Sequence, residues 1–322
     1  MRIIMFGTGP FAVPTFRSLL DSSHVLPALV TRPIQDSGKR RKSAANPTRE
    51  LAEHRTVRIF DPPTANDPEF ISQLQGLQAD LFVVCDYGEI LSRACLASAK
   101  LGGINLHGSL LPKYRGAAPI NWAIFNGETK TGITIIHMTP KLDGGPCLAQ
   151  ASLEIDPKET AADVEPKLAA LGVESVHAAI TMLDQWDGAS PIGVKQDPGL
   201  ATKAPRLKKS DGRVDWSRSA RQIVNQIRAF QPWPGSFTNW NADHLKQPLR
   251  LIIYQATDEP AADANLHELE SGQVARSEKD RLLIQSGNGL LSLRQIQPAG
   301  KRVMEIEEFL RGHRPAVGDR FV

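Results

Sequence analysis

The amino-acid sequence predicts a two-domain α/β protein, in which a doubly wound, mainly parallel sheet is followed by a smaller β-barrel. Three observations support this prediction. The first 150 residues alternate apolar, strand-like runs with helical patterns, which is typical of a parallel sheet covered on both faces. The last third holds short β runs separated by Gly, Pro and Asn turns. A length of 322 residues also suits two domains better than one.

The predicted elements follow in order. Strands are expected at 2–6, 25–30, 80–85, 103–107 and 132–137, and helices or helical turns at 11–21, 46–54, 67–76, 89–98 and 117–126. A longer helix is expected at 161–185 after the start signal Thr160, and a further helix at 218–229. Short β runs follow at 249–253, 272–275, 281–284 and 290–296. We therefore expect a first domain at 1–188, a linker at 189–207 and a second domain at 208–322.

The composition is that of an ordinary globular protein. Hydrophobic residues make up 41% and charged residues 23% of the chain. No apolar run approaches the roughly 20 residues that span a bilayer, and the strand-like start shows no signal or transit pattern. The three cysteines lack C-x-x-C spacing, which argues against a disulfide framework or zinc site. Cys85 and Cys147 are expected in the core, and the chain in a reducing cytoplasm.

Basic residues are concentrated in the C-terminal part of the chain. From Leu200 onward there are 19 Lys and Arg against 14 Asp and Glu, whereas the whole chain has a net charge of only +3. The excess is sharpest at 202–228, where eight basic residues face only Asp211 and Asp215. This asymmetry suits a polyanionic partner, and a solvated charged surface is the alternative.

A glycine-rich segment follows the first predicted strand. Gly7-Thr8-Gly9-Pro10-Phe11-Ala12 matches the G-x-G-x-x-A fingerprint of dinucleotide-binding proteins. The second strand, however, ends without the carboxylate that would hold the ribose, and Arg32 stands there instead. Pro10 is better explained as a first-turn helix proline. We therefore expect no NAD(P).

The most informative segment is 102–119. Asn105 and His107 lie two residues apart on a predicted strand, so both side chains project from the same face. A short, rigid loop follows at Ser109–Pro112, and Asp143 comes just after the next strand. Because ligands of doubly wound folds bind beyond the carboxyl ends of the strands, we expect these residues to converge on one crevice. An amide donor, an imidazole and a shaped loop are suited to acyl transfer.

These residues resemble the signature of the 10-formyltetrahydrofolate-dependent formyltransferases. Asn-x-His-x-Ser-Leu-Leu-Pro matches at 105–112, and Leu142-Asp143-Gly144-Gly145 matches the segment carrying the third catalytic residue. The resemblance implies a Rossmann-like formyltransferase fold with the catalytic residues Asn105, His107 and Asp143. It also implies a folate pocket lined by Ser109, Leu110, Leu111, Pro112, Tyr87 and Gly88. The chain departs from the pattern at Gly9-Pro10, at Asp86 (usually Ala) and at Ser92 (often Pro).

Further segments resemble the methionyl-tRNA formyltransferases. They are Asp215-Trp216-Ser217, Arg228-Ala229-Phe230-Gln231-Pro232-Trp233-Pro234 and Gln297-Pro298-Ala299-Gly300-Lys301. The side chains of Phe230, Trp233 and Trp240 are expected in the core of the OB-like barrel. The resemblance implies tRNA contacts from two basic segments, one at Lys39, Arg40, Arg41 and Lys42 and one at Arg206, Lys208, Lys209 and Arg213. Either segment could instead be plain solvated surface.

The resemblance implies transfer of a formyl group from 10-formyltetrahydrofolate to the α-amino group of initiator methionyl-tRNA. No metal is expected, since no spacing in the sequence offers a site. We expect a bacterial, cytoplasmic monomer without membrane contact. Three alternatives remain: a formyltransferase acting on an amino sugar or glycinamide ribonucleotide, an NAD(P)-dependent enzyme, and a non-catalytic RNA-binding protein on an enzyme scaffold.

Overall fold

A computed structural model describes residues 1–34, 46–260 and 269–322, which fold into two compact units. The first unit comprises Met1–Pro119, Lys130–Glu154 and Val164–Pro205, and the second comprises Ile120–Thr129, Ile155–Asp163 and Arg206–Val322. The expected limits of 1–188, 189–207 and 208–322 therefore differ from the units in two respects. Two short segments from the N-terminal half belong to the second unit, and most of the expected linker belongs to the first.

The first unit is built on a seven-stranded, mainly parallel sheet, as the sequence predicts. Its strands are β1 (Arg2–Gly7), β2 (Val25–Val30), β3 (Arg58–Phe60), β4 (Leu81–Cys85), β5 (Gly103–His107), β6 (Lys130–His137) and β7 (Cys147–Glu154). Their order is β3-β2-β1-β4-β5-β6-β7. β1 to β5 pair in parallel, while β6 is antiparallel to β5 and β7 is antiparallel to β6. The chain order reverses between β1 and β4, which is where doubly wound folds bind ligands.

Polar side chains cap several of the helices in this part of the chain. The helices are α1 (Val13–Leu20), α2 (Pro47–His54), α3 (Pro68–Gly76), α4 (Arg93–Leu96), α5 (Pro119–Phe125) and α6 (Ala161–Asp184), and α5 and α6 continue across the limits of the units. Pro10 opens a 3-10 turn before α1, as predicted. The helix predicted at 89–98 was too long, because the hydroxyl of Ser92 accepts the amide hydrogen of Cys95 and the helix starts only at Arg93.

The second unit is a nearly closed antiparallel barrel, as predicted for the C-terminal part. Its elements are α7 (Ala220–Ala229), β8 (Ser236–Asn241), β9 (Leu249–Glu259), β10 (Val274–Ser277), β11 (Leu282–Gln285), β12 (Leu290–Pro298), β13 (Met304–Glu305), α8 (Ile306–Gly312) and β14 (Arg320–Phe321). The strand order is β10-β11-β12-β9-β8-β14, and the amide of Val274 donates to the carbonyl of Asp319 (2.9 Å), which brings the two edges together. Trp216, Trp240, Phe309 and Phe321 pack in the core.

Two expectations about buried side chains were wrong. Phe230 and Trp240 are fully buried, but Trp233 is 55% exposed, so it does not pack in the core. Cys147 is only half-buried because it begins an outer strand of the sheet, whereas Cys85 is fully buried as expected.

Candidate active site

His107 ends β5 and is held from both sides of its ring. Its side chain is 6% exposed, and Nε2 lies 2.9 Å from the carbonyl oxygen of Tyr114. A carbonyl can only accept, so Nε2 carries the proton. Nδ1 then faces the carboxylate of Asp143, with Oδ2 at 3.8 Å. That distance suits an ion pair but is too long for a hydrogen bond.

The backbone amide of Gly116 holds the Asp143 carboxylate in place by donating to Oδ2 at 2.8 Å. The expectation that Asp143 lies near His107 because both follow the carboxyl ends of neighbouring parallel strands is wrong. Because β6 is antiparallel to β5, the end of β6 at His137 lies beside Ile104, at the start of β5. The loop after β6 must therefore fold back to bring Asp143 to His107, and Asp143 adopts a left-handed backbone conformation in it (φ 45°).

Asn105 lies two residues before His107 on β5, between β4 and β6. It is half-buried, and its side chain makes no hydrogen bond to any residue in the described ranges. Its amide group has two unused N–H donors and lies on the same strand face as the His107 imidazole. It can therefore donate a hydrogen bond to a reacting oxygen.

The loop after β5 is held by the sheet beneath it. The hydroxyl of Ser109, which is fully buried, donates to the carbonyl of Lys113 (2.7 Å). The hydroxyl of Thr134 on β6 donates to the carbonyl of Ser109 (2.7 Å) and accepts from the amide of Leu111 (3.0 Å). Gln150 on β7 donates to the carbonyl of Leu111 (2.9 Å). The 109–112 loop is therefore rigid before any ligand binds.

Leu111 is buried, and the side chain of Leu110 packs against Gly132 of β6. Both leucine side chains thus pack toward the interior of the first unit. The face that this loop offers to a ligand is correspondingly formed by backbone as much as by side chains.

Residues from the predicted linker complete the site, and no local sequence pattern points to them. The side chain of Gln196 is buried and donates to the carbonyls of Asp143 (2.8 Å) and Gly145 (2.7 Å). Its Oε1 accepts from Nη2 (2.6 Å) and Nε (3.1 Å) of Arg115. The hydroxyl of Thr202 accepts the amide hydrogen of Tyr114 (2.8 Å). Gln196 therefore joins the loop that carries Asp143 to the loop that orients His107.

A second polar cluster lies at the ends of β1 and β4, where the chain order reverses. A Cβ atom at Gly9 would overlap the carboxylate of Asp86, so the glycine makes room for the carboxylate. Asp86 reaches solvent on one side, yet desolvation by the surrounding protein, and then the charge of Glu165, raise its pKa to about 6. The two departures from the family pattern, Gly9 and Asp86, are thus a single packing feature.

The neighbouring residues of this cluster are held by their own contacts. Tyr87 is buried, and burial raises the pKa of its hydroxyl above its usual range. Gly88, also assigned to the folate pocket, is exposed and has a positive φ of 77°. Glu89 accepts from Nη1 of Arg32 (3.0 Å) and from Nδ2 of Asn66 (3.1 Å). Arg32, the residue considered for a dinucleotide phosphate, is thereby engaged within the protein.

The predicted tRNA-binding residues fall in two places. Lys39, Arg40, Arg41 and Lys42 lie outside the described residues. Arg206, Lys208, Lys209 and Arg213 are exposed in the second unit, and none of their side chains forms an ion pair with a described residue. The four basic side chains of this segment (residues 206–213), which we call the basic segment, are therefore exposed and not neutralised by a described carboxylate.

Within the part of the chain that the structure describes, no three His, Cys, Asp or Glu side chains are grouped to hold a metal ion. None of the helices in the ranges 1–34, 46–260 and 269–322 is long and apolar enough to cross a membrane.

Known proteins resemble the chain over its whole length. Residues 1–180 match the formyl transferase family, and residues 206–314 match the formyl transferase C-terminal domain. A methionyl-tRNA formyltransferase from Rhodopirellula baltica is 42% identical over 330 aligned positions, covering 100% of this chain and 97% of that protein. A protein of the same name from Geobacter sulfurreducens is 36% identical, covering 99% of this chain and 96% of that protein.

The fold is also that of a solved enzyme. The N-formyltransferase from Helicobacter canadensis, in complex with folinic acid and dTDP-3-aminofucose, aligns with a TM-score of 0.64 at 17% identity, over 92% of this chain and 99% of that chain. An identity this low establishes the shared fold alone, whereas the two family matches and the full-length relatives establish more. The chain belongs to the formyltransferase family, in its methionyl-tRNA formyltransferase group.

Proposed function

We propose that the chain transfers the formyl group of 10-formyltetrahydrofolate to the α-amino group of initiator methionyl-tRNA. One observation carries the chemical part of the proposal: His107 is fixed between the Tyr114 carbonyl and the Asp143 carboxylate, beside the uncommitted amide of Asn105. The full-length relatives support the choice of acceptor. The comparisons and the site therefore favour the same reaction.

The nucleophile in this reaction is the neutral α-amino group. Such groups titrate near roughly 7.7–8.0, so a useful fraction is unprotonated at neutral pH. The amine nitrogen attacks the formyl carbon, and the carbonyl electron pair moves onto oxygen. Asn105 donates to this oxyanion, and loss of one such donor typically costs about 10²–10³ in rate.

The tautomer of His107 assigns its proton chemistry. Because Nε2–H is used by the Tyr114 carbonyl, Nδ1 is the nitrogen that accepts the proton leaving the amine. The imidazolium formed in this step has its new proton toward Asp143, whose charge stabilises it. The bond from the formyl carbon to N10 of the folate then breaks and the carbonyl re-forms. N10 takes up the proton held on Nδ1 of His107, which returns the imidazole to its neutral form.

We assign the folate pocket to the Ser109–Pro112 loop together with Tyr87 and Gly88. The hydrogen bonds from Thr134 and Gln150 support this assignment, because they fix the loop in advance. In this proposal residues 1–188 are the catalytic domain, 189–207 the linker and 208–322 the tRNA-binding domain. The basic segment contacts phosphates in that last domain, and Lys39–Lys42 contact the acceptor end. We place the protein in the bacterial cytoplasm as a monomer.

A radiolabelled formyl-transfer assay with three acceptors tests the proposal. Methionyl-tRNA, a nucleotide-linked amino sugar and glycinamide ribonucleotide are offered separately with 10-formyltetrahydrofolate. We expect label in methionyl-tRNA only, and the product to release label on treatment that cleaves the aminoacyl ester. Transfer to either small amine, without transfer to methionyl-tRNA, would overturn the proposed acceptor.

A further inference from the structure

We propose that the barrel carries a stacking surface for an unpaired nucleotide of the tRNA, formed by Trp233, Phe237, Arg250 and Tyr254. We call these four residues the stacking patch. The inference rests on the proposed function, since it takes tRNA as the acceptor. It adds a base-stacking contact to the phosphate contacts assigned to the basic segment.

The exposure of Trp233 is not the result of a loose loop. Phe230, three residues earlier, is fully buried and stacks on Phe125 with ring centroids 5.2 Å apart. The amide of Gly235 donates to the carbonyl of Phe230 (2.8 Å), and the side chain of Gln231 donates to the carbonyl of Tyr254 (2.5 Å). The loop is thus held at both ends, and it presents Trp233 outward at 55% exposure.

The adjoining outer face of the barrel is aromatic and basic. On β8 and β9 alternate residues fill the core, so Phe237, Arg250 and Tyr254 project from the opposite face, where each is half-buried. The guanidinium of Arg250 lies 3.7 Å from the centre of the Phe237 ring. Arg250 makes no ion pair with a described residue, so its charge meets no carboxylate and the guanidinium face turned away from Phe237 is available for stacking.

The stacking patch is continuous with the basic segment. The amide of Val214 donates to the carbonyl of Phe237 (2.9 Å), and Arg213 pairs with Phe237 in a short parallel bridge. Gly212 packs on the Phe237 ring and on the carbonyl of Gly235. The exposed basic side chains of the basic segment are therefore next to the aromatic residues of the stacking patch.

The combination of aromatic rings and basic side chains indicates which kind of ligand binds. Exposed aromatic rings and arginine planes on an antiparallel sheet, bordered by cations, are the surface on which unpaired nucleobases stack. A blunt RNA duplex offers phosphates but no free base, so it engages the basic segment alone. A protein partner or a second copy of the chain would use the aromatic rings without needing the unpaired cations.

The test compares two RNA probes. Kd is measured across a salt series for full-length tRNA and for a blunt RNA duplex, with wild type, Trp233→Ala, Trp233→Phe and Lys208→Ala/Lys209→Ala. Val317→Ala, another exposed apolar position (65%) in the same unit, is the matched control. We expect Trp233→Ala to weaken tRNA binding about 5- to 150-fold without changing duplex binding or the salt slope. Trp233→Phe retains part of the affinity, and the lysine variant flattens the slope for both probes.

Kinetics and fluorescence complete the test. Trp233→Ala raises KM for methionyl-tRNA and leaves kcat near the wild-type value. In the wild type, tRNA but not the duplex protects tryptophan fluorescence from acrylamide quenching. This protection is absent in Trp233→Ala, which assigns it to Trp233 and not to the half-buried Trp122 and Trp186. Equal loss of tRNA and duplex binding in Trp233→Ala, or unchanged tRNA binding without quenching protection, overturns the stacking patch. A wild type that formylates no methionyl-tRNA refutes the proposed function instead, so the two failures are distinct.

Discussion

The two carboxylates at the ligand edge of the first unit have opposite surroundings. The Asp143 carboxylate receives an amide hydrogen bond from Gly116 and faces Nδ1 of His107, the ring nitrogen that gains a proton in the proposed reaction. The Asp86 carboxylate receives no hydrogen bond from a described residue and is close enough to Glu165 for the charge to raise its pKa. We infer that the first charge is part of a preorganised site, whereas the second lowers the stability of the fold. Changes at the two places should therefore affect different measurements.

The largest expected effect is at His107 and Asn105. We expect His107→Ala and Asn105→Ala each to lower kcat by at least about 100-fold, because each removes a group that acts on the reacting atoms. The melting temperature should change little, and the folate KM should stay within a few fold. Steady-state kinetics with circular dichroism as a folding control measures this. Near-normal turnover in a folded variant of either residue would refute the proposed chemistry.

Gln196 should behave as a positioning residue of the same site. Gln196→Glu keeps the acceptor for Arg115 but replaces two N–H donors with an oxygen that faces the carbonyls of Asp143 and Gly145. We expect kcat to fall about 10- to 100-fold with little change in KM, since Asp143 is displaced from His107. The exposed neighbour Lys195, changed to Gln, is the control. Equal kcat in the two variants would show that Gln196 only supports the fold.

At the second carboxylate we expect changes in stability. A methyl group at Gly9 meets the Asp86 carboxylate, so Gly9→Ala should lower the free energy of unfolding by about 1–2 kcal/mol. Asp86 has a positive φ of 51°, which glycine adopts without strain, so Asp86→Gly is the appropriate partner change. The double variant should recover most of the loss in denaturant unfolding. Additive effects of the two changes would contradict direct contact between them.

The smallest effect is a pH dependence. Desolvation and Glu165 raise the pKa of Asp86 from 3.8 to about 6, so the folded protein binds this proton more tightly than the unfolded chain. Stability is therefore lost as the pH rises from about 4 to 6 and stays lower above that. Asp86→Asn should be more stable than wild type by about 1 kcal/mol at pH 7.5, a modest figure because solvent screens the carboxylate. The two should coincide near pH 4, with Glu53→Gln as an exposed control.

Local patterns predicted most of the fold and the candidate residues but not the contacts that hold them. β1, β2 and β5 are apolar runs and were placed within a residue or two, whereas β3 is three residues long and β7 and β8 alternate with polar residues that resemble loops. Gln196 lies 53 positions from Asp143 and has no local signal. The exposure of Trp233 depends on where the loop after α7 runs, which sequence periodicity does not report.

The interleaving of the two units limits how the protein can be divided. Arg228 is buried in the second unit, where Nη1 donates to the carbonyls of Asp156 (3.4 Å) and Glu159 (3.2 Å). Asn121 donates to the carbonyl of Ala229 (2.7 Å), and the Trp122 and Phe125 rings pack on Phe230. A fragment beginning at Arg206 would lack Asn121, Trp122, Phe125 and the two carbonyl acceptors of Arg228 Nη1, so a buried cation would lose part of its hydrogen bonding and an aromatic face would be uncovered. The residues from 206 onward are therefore not a complete folding unit. Gene fusions or separate expression of the C-terminal part must also supply residues 120–129 and 155–163.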